Sequence, residues 1–250
     1  MSGHSKWATT KHKKAAVDKT RGKLFAKIIR QVEVAAREGG GDQEANPTLR
    51  TMYQKARSSS IPLDTIEKAI KRGTGELEGV RYETINYEGY APCGVAVYVE
   101  VLSDNRNRTG ADVRTIFSKN GGSIAEPGAV SWQFERRGVV ILPKSAGTED
   151  ELMTIGLDAG LEDLEDQGDT WQMTCATTDF HALRQALDDA GMAYDSAELT
   201  MVATQTVPLD NEADARKVLR LLDALEDNDD VQNVFANFDI PDAVLELVEA

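Results

Sequence analysis

Cysteine and histidine are scarce in this chain of 250 residues, which has two cysteines and three histidines. Cys93 and Cys175 lie far apart, so the sequence has no CxxC pair or other zinc-ligand spacing. His4, His12 and His181 form no HExxH or comparable motif. We therefore expect no metal site, no cofactor, a reducing compartment, and core positions for both cysteines.

Long apolar runs are also missing, since no stretch approaches the roughly 20 residues that cross a bilayer. The N-terminus lacks the apolar core of a secretory signal. No phosphate-binding P-loop, GxSxG nucleophile turn or Rossmann glycine pattern occurs. These absences predict a cytoplasmic protein with no membrane partner, no small-molecule substrate and no enzyme activity.

Positive charge is sparse over most of the chain and concentrated at its start. The formal net charge is −14. Residues 1–72 contain 16 Lys and Arg against 7 Asp and Glu, a net charge of +9, which leaves −23 for the other 178 residues. An acidic body of this kind fits a solubilising surface, a surface that repels phosphate, or one that docks on a basic protein. The composition leaves these three interpretations open.

Helical spacing of apolar residues predicts three helices in the basic segment. The first covers residues 19–38 and ends at a run of three glycines. The second begins with Asn46 as N-cap and Pro47 at the first helical position. The third begins at Asp64, where Asp64 and Glu67 resemble a capping box.

Basic residues cluster most densely between residues 6 and 30, with nine Lys and Arg against one acid. Helical spacing places four of them in one stripe along the first helix: Lys19, Lys23, Lys27 and Arg30. Such clustering is typical of a phosphate-binding surface. We predict that the nucleic-acid interface in this region comprises Lys6, Trp7, Lys11, His12, Lys13, Lys14, Lys19, Arg21, Lys23, Lys27 and Arg30.

Three residues of the predicted interface allow two interpretations each. Trp7 either stacks on a base or anchors the basic arm to the protein. Arg106 and Arg108 lie in the segment DNRNRT, just before a helix predicted to start at Thr109. They form either a second phosphate site at the helix N-terminus or the exposed part of a capped loop. We include both arginines in the predicted interface.

The hydrophobic period changes from helical to alternating after about residue 80. Strands are predicted over 84–90, 94–102, 123–125 and 130–135. From Gly138 the elements follow the order βαββαβ, with a strand over 138–142, a helix over 149–159, strands over 162–166 and 170–176, a helix over 179–190 and a strand over 194–204. A helix after Pro208 and a strand over 231–238 have no partners of their own, so we expect them to rejoin the earlier strands.

The predicted fold class is α+β, with an N-terminal three-helix domain plus two ferredoxin-like α+β domains, one inserted into the other. The predicted domains are a basic helical nucleic-acid-binding domain over 1–75, a discontinuous α+β domain over 80–137 plus 206–250, and an inserted acidic βαββαβ domain over 138–205.

Several ordered motifs resemble the YebC/PmpR family, which includes the mitochondrial translational activator of cytochrome c oxidase subunit one. They are SGHSKWATTKHKKAAVDKTRGKLFAKIIRQ at 2–31, IPLDTIEKAIKRGTG at 61–75, YEGYAPCGVA at 87–96, DNRNRT at 104–109 and GGSIAEPGAVSWQF at 121–134. The resemblance implies three domains and no enzyme activity. It also implies nucleic-acid contacts from Lys6, Lys11, Lys13, Lys14, Arg21, Lys23 and Lys27.

The family resemblance and the basic N-terminal segment together predict a non-enzymatic, nucleic-acid-binding regulator of gene expression. The first hypothesis is a DNA-binding transcriptional regulator, as bacterial members of the family are described. The alternative is a ribosome-associated translation factor that binds ribosomal or transfer RNA and relieves stalls at proline-rich stretches. A third hypothesis is a protein adaptor that acts through the acidic βαββαβ unit.

Overall fold

The computed structural model describes the backbone of residues 18–249 and, within that range, the side chains of residues 22–241, 243–245 and 247–248. The helices are α1 (Asp18–Gly39), α2 (Pro47–Ser58), α3 (Leu63–Thr74), α4 (Arg106–Lys119), α5 (Glu149–Leu157), α6 (Phe180–Asp189), α7 (Glu212–Glu226) and α8 (Asp242–Glu249). The strands are β1 (Glu83–Tyr90), β2 (Ala96–Ser103), β3 (Ser123–Ala125), β4 (Phe134–Pro143), β5 (Leu161–Asp166), β6 (Thr170–Ala176), β7 (Ser196–Ala203), β8 (Val207–Pro208), β9 (Val231–Ala236) and β10 (Phe238–Asp239).

The three N-terminal helices enclose a small apolar core, to which α1 contributes one side between residues 28 and 36. The buried residues of this core are Ile28, Val32, Ala35, Ala36, Leu49, Ala56, Ile61, Ile66 and Ala69. They follow the i, i+4, i+7 spacing of an amphipathic helix on α1. Both α2 and α3 pack mainly on α1 rather than on each other, so α2 leaves its outer side in solvent.

The helix starts predicted from the sequence agree only partly with those observed in this domain. Asn46 caps α2 as predicted, since its side-chain oxygen accepts a hydrogen bond from the N–H of Leu49 at 3.0 Å. The capping box predicted at Asp64 and Glu67 is wrong. The N-cap of α3 is Pro62, which has no side-chain cap, and Asp64 instead accepts a hydrogen bond from Lys68 at 2.8 Å.

Gly73 sets the close approach of α3 to α1. A Cβ atom at this position would lie 2.4 Å from the carbonyl oxygen of Glu33 and 2.7 Å from the Cβ of Ala36. We expect Gly73→Ala to lower the free energy of unfolding by about 1–3 kcal/mol, because the helices must move apart. Urea denaturation followed by circular dichroism measures this.

Gly22 of α1 is the matched control for that substitution. A Cβ atom at Gly22 meets nothing within 4 Å. Alanine there should raise the stability by about 0.5–1 kcal/mol, because it removes the conformational entropy of a helical glycine. Equal effects of the two substitutions would contradict the packing role of Gly73.

The middle sheet has the strand order β3-β1-β2-β9 and is antiparallel throughout. Strand β9 pairs with β2, so that Val97 lies opposite Ala236 although 139 residues separate them. Residues of β2, α4 and α7 form its apolar core, among them Val97, Val99, Val101, Val113, Phe117, Leu221 and Leu222. The strand predicted near 231–238 thus returns to the earlier strands.

The second four-stranded sheet has the order β5-β6-β4-β7, with α5 and α6 packed against it. The elements β4-α5-β5-β6-α6-β7 and this strand order are those of a ferredoxin-like unit. The predicted fold class, a three-helix N-terminal domain followed by two α+β units, is therefore confirmed. The domain boundaries of the sequence prediction remain our proposal.

The predicted break between two strands at Gly138 is wrong. Separate strands were expected over 130–135 and 138–142, but residues 134–143 form one strand, and residues 131–133 form a 3-10 turn. Gly138 interrupts nothing because its missing side chain makes room for Phe180 and Cys175, which lie 2.6–2.7 Å from a Cβ placed there. The glycine serves packing rather than a turn.

Two other predictions about local structure differ from the structure. Helix α4 starts at Arg106 with Asn105 as N-cap, not at Thr109, which is fully buried inside the first turn. Cys175 is buried as expected, whereas Cys93 is exposed in a turn with φ of 64°. The terminal helix α8 was not predicted.

No helix in the part of the chain between residues 18 and 249 is both long enough and apolar enough to cross a membrane.

Candidate nucleic-acid interface

The predicted interface is only partly covered by the structure. Its basic arm lies outside the described residues, namely Lys6, Trp7, Lys11, His12, Lys13 and Lys14. Lys19 and Arg21 belong to the first turns of α1, but their side chains are not among those described. The structure therefore places the side chains of five predicted residues: Lys23, Lys27, Arg30, Arg106 and Arg108.

Lys23 and Lys27 of α1 contact the acidic turn, which we define as residues 226–230, at the end of α7. The Lys23 ammonium donates to the carbonyl oxygen of Asp227 at 2.9 Å and pairs with the carboxylate of the same residue. The Lys27 ammonium donates to the carbonyl oxygen of Glu226 at 2.8 Å. The last carbonyls of a helix have no partner within it and carry its negative dipole end, so they attract lysine.

Burial changes the acid-base behaviour of Lys27. Its pKa is lowered, chiefly because burial disfavours the charged ammonium and also because Lys23 is nearby. The acids of the turn oppose this effect, with Glu226 the strongest of them. Lys27 is therefore held between two parts of the protein and is not a freely solvated cation.

Arg30 makes the third contact of α1 with the acidic turn. Its guanidinium donates to the carbonyl oxygen of Asp229 at 2.6 Å and to the carboxylate of Asp230 at 3.0 Å. It also lies over the ring of Tyr82, 5.5 Å from the ring centre. The contacts of Lys23, Lys27 and Arg30 with the acidic turn form what we call the α1 clamp.

Asp230 is the buried centre of this contact, with 6% of its surface exposed. Its carboxylate accepts hydrogen bonds from Thr109 at 2.6 Å and from Arg108 at 2.7 Å, besides the one from Arg30. Burial raises the pKa of this carboxyl group, but the hydrogen bonds from Thr109 and Arg108 and the two positive charges outweigh it, so the pKa is lowered overall. Asp230 is thus held in its charged form.

Arg106 and Arg108 do not form one site. Arg106 is exposed at the start of α4. Arg108 bridges two carboxylates, with its terminal nitrogen 2.7 Å from both Asp104 and Asp230. Both arginines are exposed, as the sequence suggested, but the guanidinium of Arg108 is engaged in ion pairs within the protein.

A groove of about 370 Å³ lies beside the clamp and has mixed charge. Arg30 and Arg108 line it together with four aspartates, namely Asp104, Asp112, Asp229 and Asp230. Because the carboxylates outnumber the guanidinium groups, the groove is a poor binding place for a phosphate. In the described residues we find no group of three or more His, Cys, Asp or Glu side chains suited to a metal ion.

Helix α2 carries three exposed cations that the predicted interface did not include: Arg50, Lys55 and Arg57. Positive charge is densest near the N-terminus, and the predicted interface was placed there for that reason. The signal that identifies α2 is a different one, namely that its sequence PTLRTMYQKARS contains no acid at all. A surface without carboxylates is the more favourable one for a polyanion.

Comparison with known families accounts for nearly the whole chain. Residues 5–76 match the model described as the TACO1/YebC protein N-terminal domain. Residues 82–238 match the model described as the TACO1/YebC second and third domain. The chain belongs to the TACO1/YebC family. The YebC/PmpR resemblance of the sequence motifs is therefore confirmed, and the boundary between the two family models falls in the segment that joins α3 to β1.

Curated relatives in this family carry a regulatory name. A protein of Beutenbergia cavernae is 59% identical over 247 residues, 98% of each chain, and a protein of Streptomyces avermitilis is 57% identical over 251 residues, 100% of each chain. Both are named "Probable transcriptional regulatory protein". Relatives of this TACO1/YebC chain are thus named as regulators of transcription.

A crystal structure of similar architecture is that of a conserved hypothetical protein from Aquifex aeolicus. It is 43% identical, covers 92% of this chain and 94% of its own, and superposes with a TM-score of 0.81. The arrangement of helices and sheets is therefore shared with a crystallographically determined protein.

Proposed function

We propose that this TACO1/YebC protein is a DNA-binding transcriptional regulator that acts in the cytoplasm without catalytic activity. The observation that carries the proposal is the separation of charge: +9 in residues 1–72 against −23 in the rest of the chain. The regulatory name of its relatives supports the transcriptional role.

The physical basis of this function is phosphate neutralisation by the N-terminal domain. Lys and Arg side chains that contact phosphates release condensed counterions, which supplies much of the binding free energy. The acidic units that follow repel a polyanion. DNA is therefore confined to the N-terminal end, whose sequence also contains the predicted contact residues Lys6, Lys11, Lys13 and Lys14.

Binding of the full chain to a 30-base-pair duplex, measured by fluorescence anisotropy at several salt concentrations, tests the proposal. We expect affinity to fall steeply with salt, with a slope of about 0.9 per phosphate contact and therefore about 4–6 for a domain of this charge. Chromatin immunoprecipitation should then show occupancy at promoters whose transcripts change when the gene is deleted.

Two results would contradict the proposal. One is affinity for the duplex that does not depend on salt, since that excludes phosphate contacts. The other is an absence of promoter occupancy combined with ribonuclease-sensitive sedimentation with ribosomes, which would favour translation instead.

A further inference from the structure

The outer side of α2 is an exposed, acid-free surface. The helix buries Leu49 and Ala56 against α1, with Met52 and Tyr53 packed beside them. After its first two residues, the helix is exposed at six positions that we call the α2 face: Arg50, Thr51, Gln54, Lys55, Arg57 and Ser58. Its net charge is +3, with cations, an amide and hydroxyl groups and no carboxylate.

The residues of the α2 face lie in two neighbouring rows. Arg50, Gln54 and Arg57 form one row with the i, i+4, i+7 spacing. Thr51, Lys55 and Ser58 form the second row, with the same spacing one position later. At 1.5 Å per residue, each row is about 10 Å long. A row of this length spans roughly three base pairs of a duplex, which are about 3.4 Å apart along each strand.

The cations of the α2 face are available, unlike those of the α1 clamp. Within the part of the chain that the structure describes, Lys55 and Arg57 make no ion pair. Arg50 donates to two backbone carbonyls of the preceding loop, those of Gln43 at 3.0 Å and Glu44 at 2.7 Å. These bonds orient its guanidinium without neutralising the charge.

Helix α3 offers no comparable surface. Asp64 and Glu67 are exposed on its first turns, and Lys68 is paired with Asp64 at 2.8 Å. A phosphate approaching this side meets carboxylates as well as ammonium groups. Of the two helices that flank α1, α2 is therefore the one suited to nucleic acid.

The side-chain chemistry of the α2 face matches the major groove of DNA. Arginine binds the guanine edge and glutamine the adenine edge in that groove, which is about 12 Å wide and admits a helix. Lysine, serine and threonine supply contacts to phosphates. The exposed Asp42 and Glu44 lie in the loop before α2, so the phosphate contacts are expected toward its C-terminal half.

We infer that the α2 face binds the major groove of a DNA duplex and that the α1 cations serve the clamp rather than the nucleic acid. This inference rests on the proposed function and adds to it the binding surface and the groove. Among the predicted phosphate contacts of the N-terminal domain, it replaces Lys23, Lys27 and Arg30 by the cations of the α2 face.

Two triple variants of the full chain with equal charge loss provide the test. One is Arg50→Gln, Lys55→Gln and Arg57→Gln; the other is Lys23→Gln, Lys27→Gln and Arg30→Gln. Both remove three positive charges from the same domain, so a difference between them is not a difference in net charge. The second variant also breaks the α1 clamp, a contact that the first variant leaves in place. The probe is a 20-base-pair DNA duplex at about 0.1 M salt, and circular dichroism verifies folding.

We expect the α2 triple variant to bind the duplex at least tenfold more weakly, with a salt slope reduced by about 2–3. The α1 triple variant should stay within threefold of the wild type. The double variant Lys55→Gln and Arg57→Gln, which keeps the loop contacts of Arg50, should show most of the loss. The wild type should also protect guanine N7 from dimethyl sulfate, a reagent that reaches this atom through the major groove.

Each contrary outcome has a separate meaning. Weak binding by the α1 variant together with normal binding by the α2 variant would overturn the inference and leave DNA binding intact. Normal binding by both variants would also overturn it and would assign the phosphate contacts to other cations of the chain. Absence of salt-dependent duplex binding by the wild type would reject the proposed function itself.

Discussion

Replacing Glu88 by alanine is expected to lower the free energy of unfolding by about 3–5 kcal/mol, since three backbone donors lose their acceptor at once. Glu88 is 7% exposed, and its carboxylate accepts hydrogen bonds from the N–H groups of Gly128 at 2.8 Å, Val130 at 2.7 Å and Ser131 at 2.9 Å. Burial raises its pKa, but these three donors together lower it below the ordinary value. The carboxylate therefore holds the loop before β4 in place.

That loop matters because it joins the two sheets. Val130 is buried in an apolar cluster with Tyr98, Phe134 and Phe235, at the contact between the middle sheet and β4. The same loop carries Trp132 with 65% of its surface exposed. We expect the substitution to loosen the connection between the two α+β units as well as to destabilise them.

Urea denaturation and hydrogen exchange of the 128–131 amides measure this effect. Glu126→Ala is the control, because it removes the same charge from an exposed position of the same loop. Glu88→Gln, which keeps one acceptor oxygen, should give an intermediate value. If Glu88→Ala were no more destabilising than the control, the three hydrogen bonds would not contribute to the free energy of unfolding.

Replacing Asp230 by alanine is expected to lower the free energy of unfolding by about 2–4 kcal/mol, because a buried carboxylate that accepts hydrogen bonds from two charged groups is removed. Arg108 and Arg30 lose their shared carboxylate, and the hydroxyl of the fully buried Thr109 loses one of its two hydrogen-bond partners, the other being Ser103. The N-terminal helices should also detach more readily, since one of the contacts of the α1 clamp disappears. Hydrogen exchange should accelerate in β9, at the start of α4 and along α1.

Asp229→Ala is the matched control for this substitution. Asp229 is exposed and contributes only its backbone carbonyl to the bond with Arg30. It should therefore leave stability within about 0.5 kcal/mol of the wild type, as is usual for surface positions. Equal exchange rates in the two variants would refute the central role of Asp230.

Low pH should remove the contribution of Asp230 to stability, because its carboxylate then binds a proton. The folded-state pKa of Asp230 lies below its ordinary value of 3.8. Its contribution to stability is therefore fully present above pH 3.8 and is lost as the pH falls through the lower folded-state pKa. The Asp230→Ala variant should lose less stability than the wild type over that acidic range.

Local patterns predicted much of the fold. The spacing of apolar residues located all three N-terminal helices. The unpartnered strand near residue 231 correctly indicated a return to the earlier strands, among which it pairs with β2. Glycine was the less reliable signal, because Gly138 lies inside a strand where its lack of a side chain admits Phe180. A single residue type serves turns and close packing alike, and only the tertiary contact distinguishes them.

The candidate site was less predictable for a related reason. Helical spacing correctly placed Lys23, Lys27 and Arg30 on one side of α1, but it could not identify what that side contacts. Their partners are the acids and carbonyls of residues 226–230, about 200 positions later in the chain. The absence of acid in α2 was visible in the sequence, yet its exposure depends on how α2 packs on α1.

The two sides of the α1 clamp are far apart in the sequence, so the ribosome makes them at different times. Lys23 and Asp227 are 204 positions apart, so at about 5–20 residues per second the ribosome needs roughly 10–40 s to make the second after the first. Strand β9, which completes the middle sheet, emerges later still. During this interval the N-terminal helices can fold on their own core while their clamp cations have no acidic partner within the nascent protein. The assembled arrangement of the N-terminal and middle units is thus a late event in synthesis, formed only after nearly the whole chain has been translated.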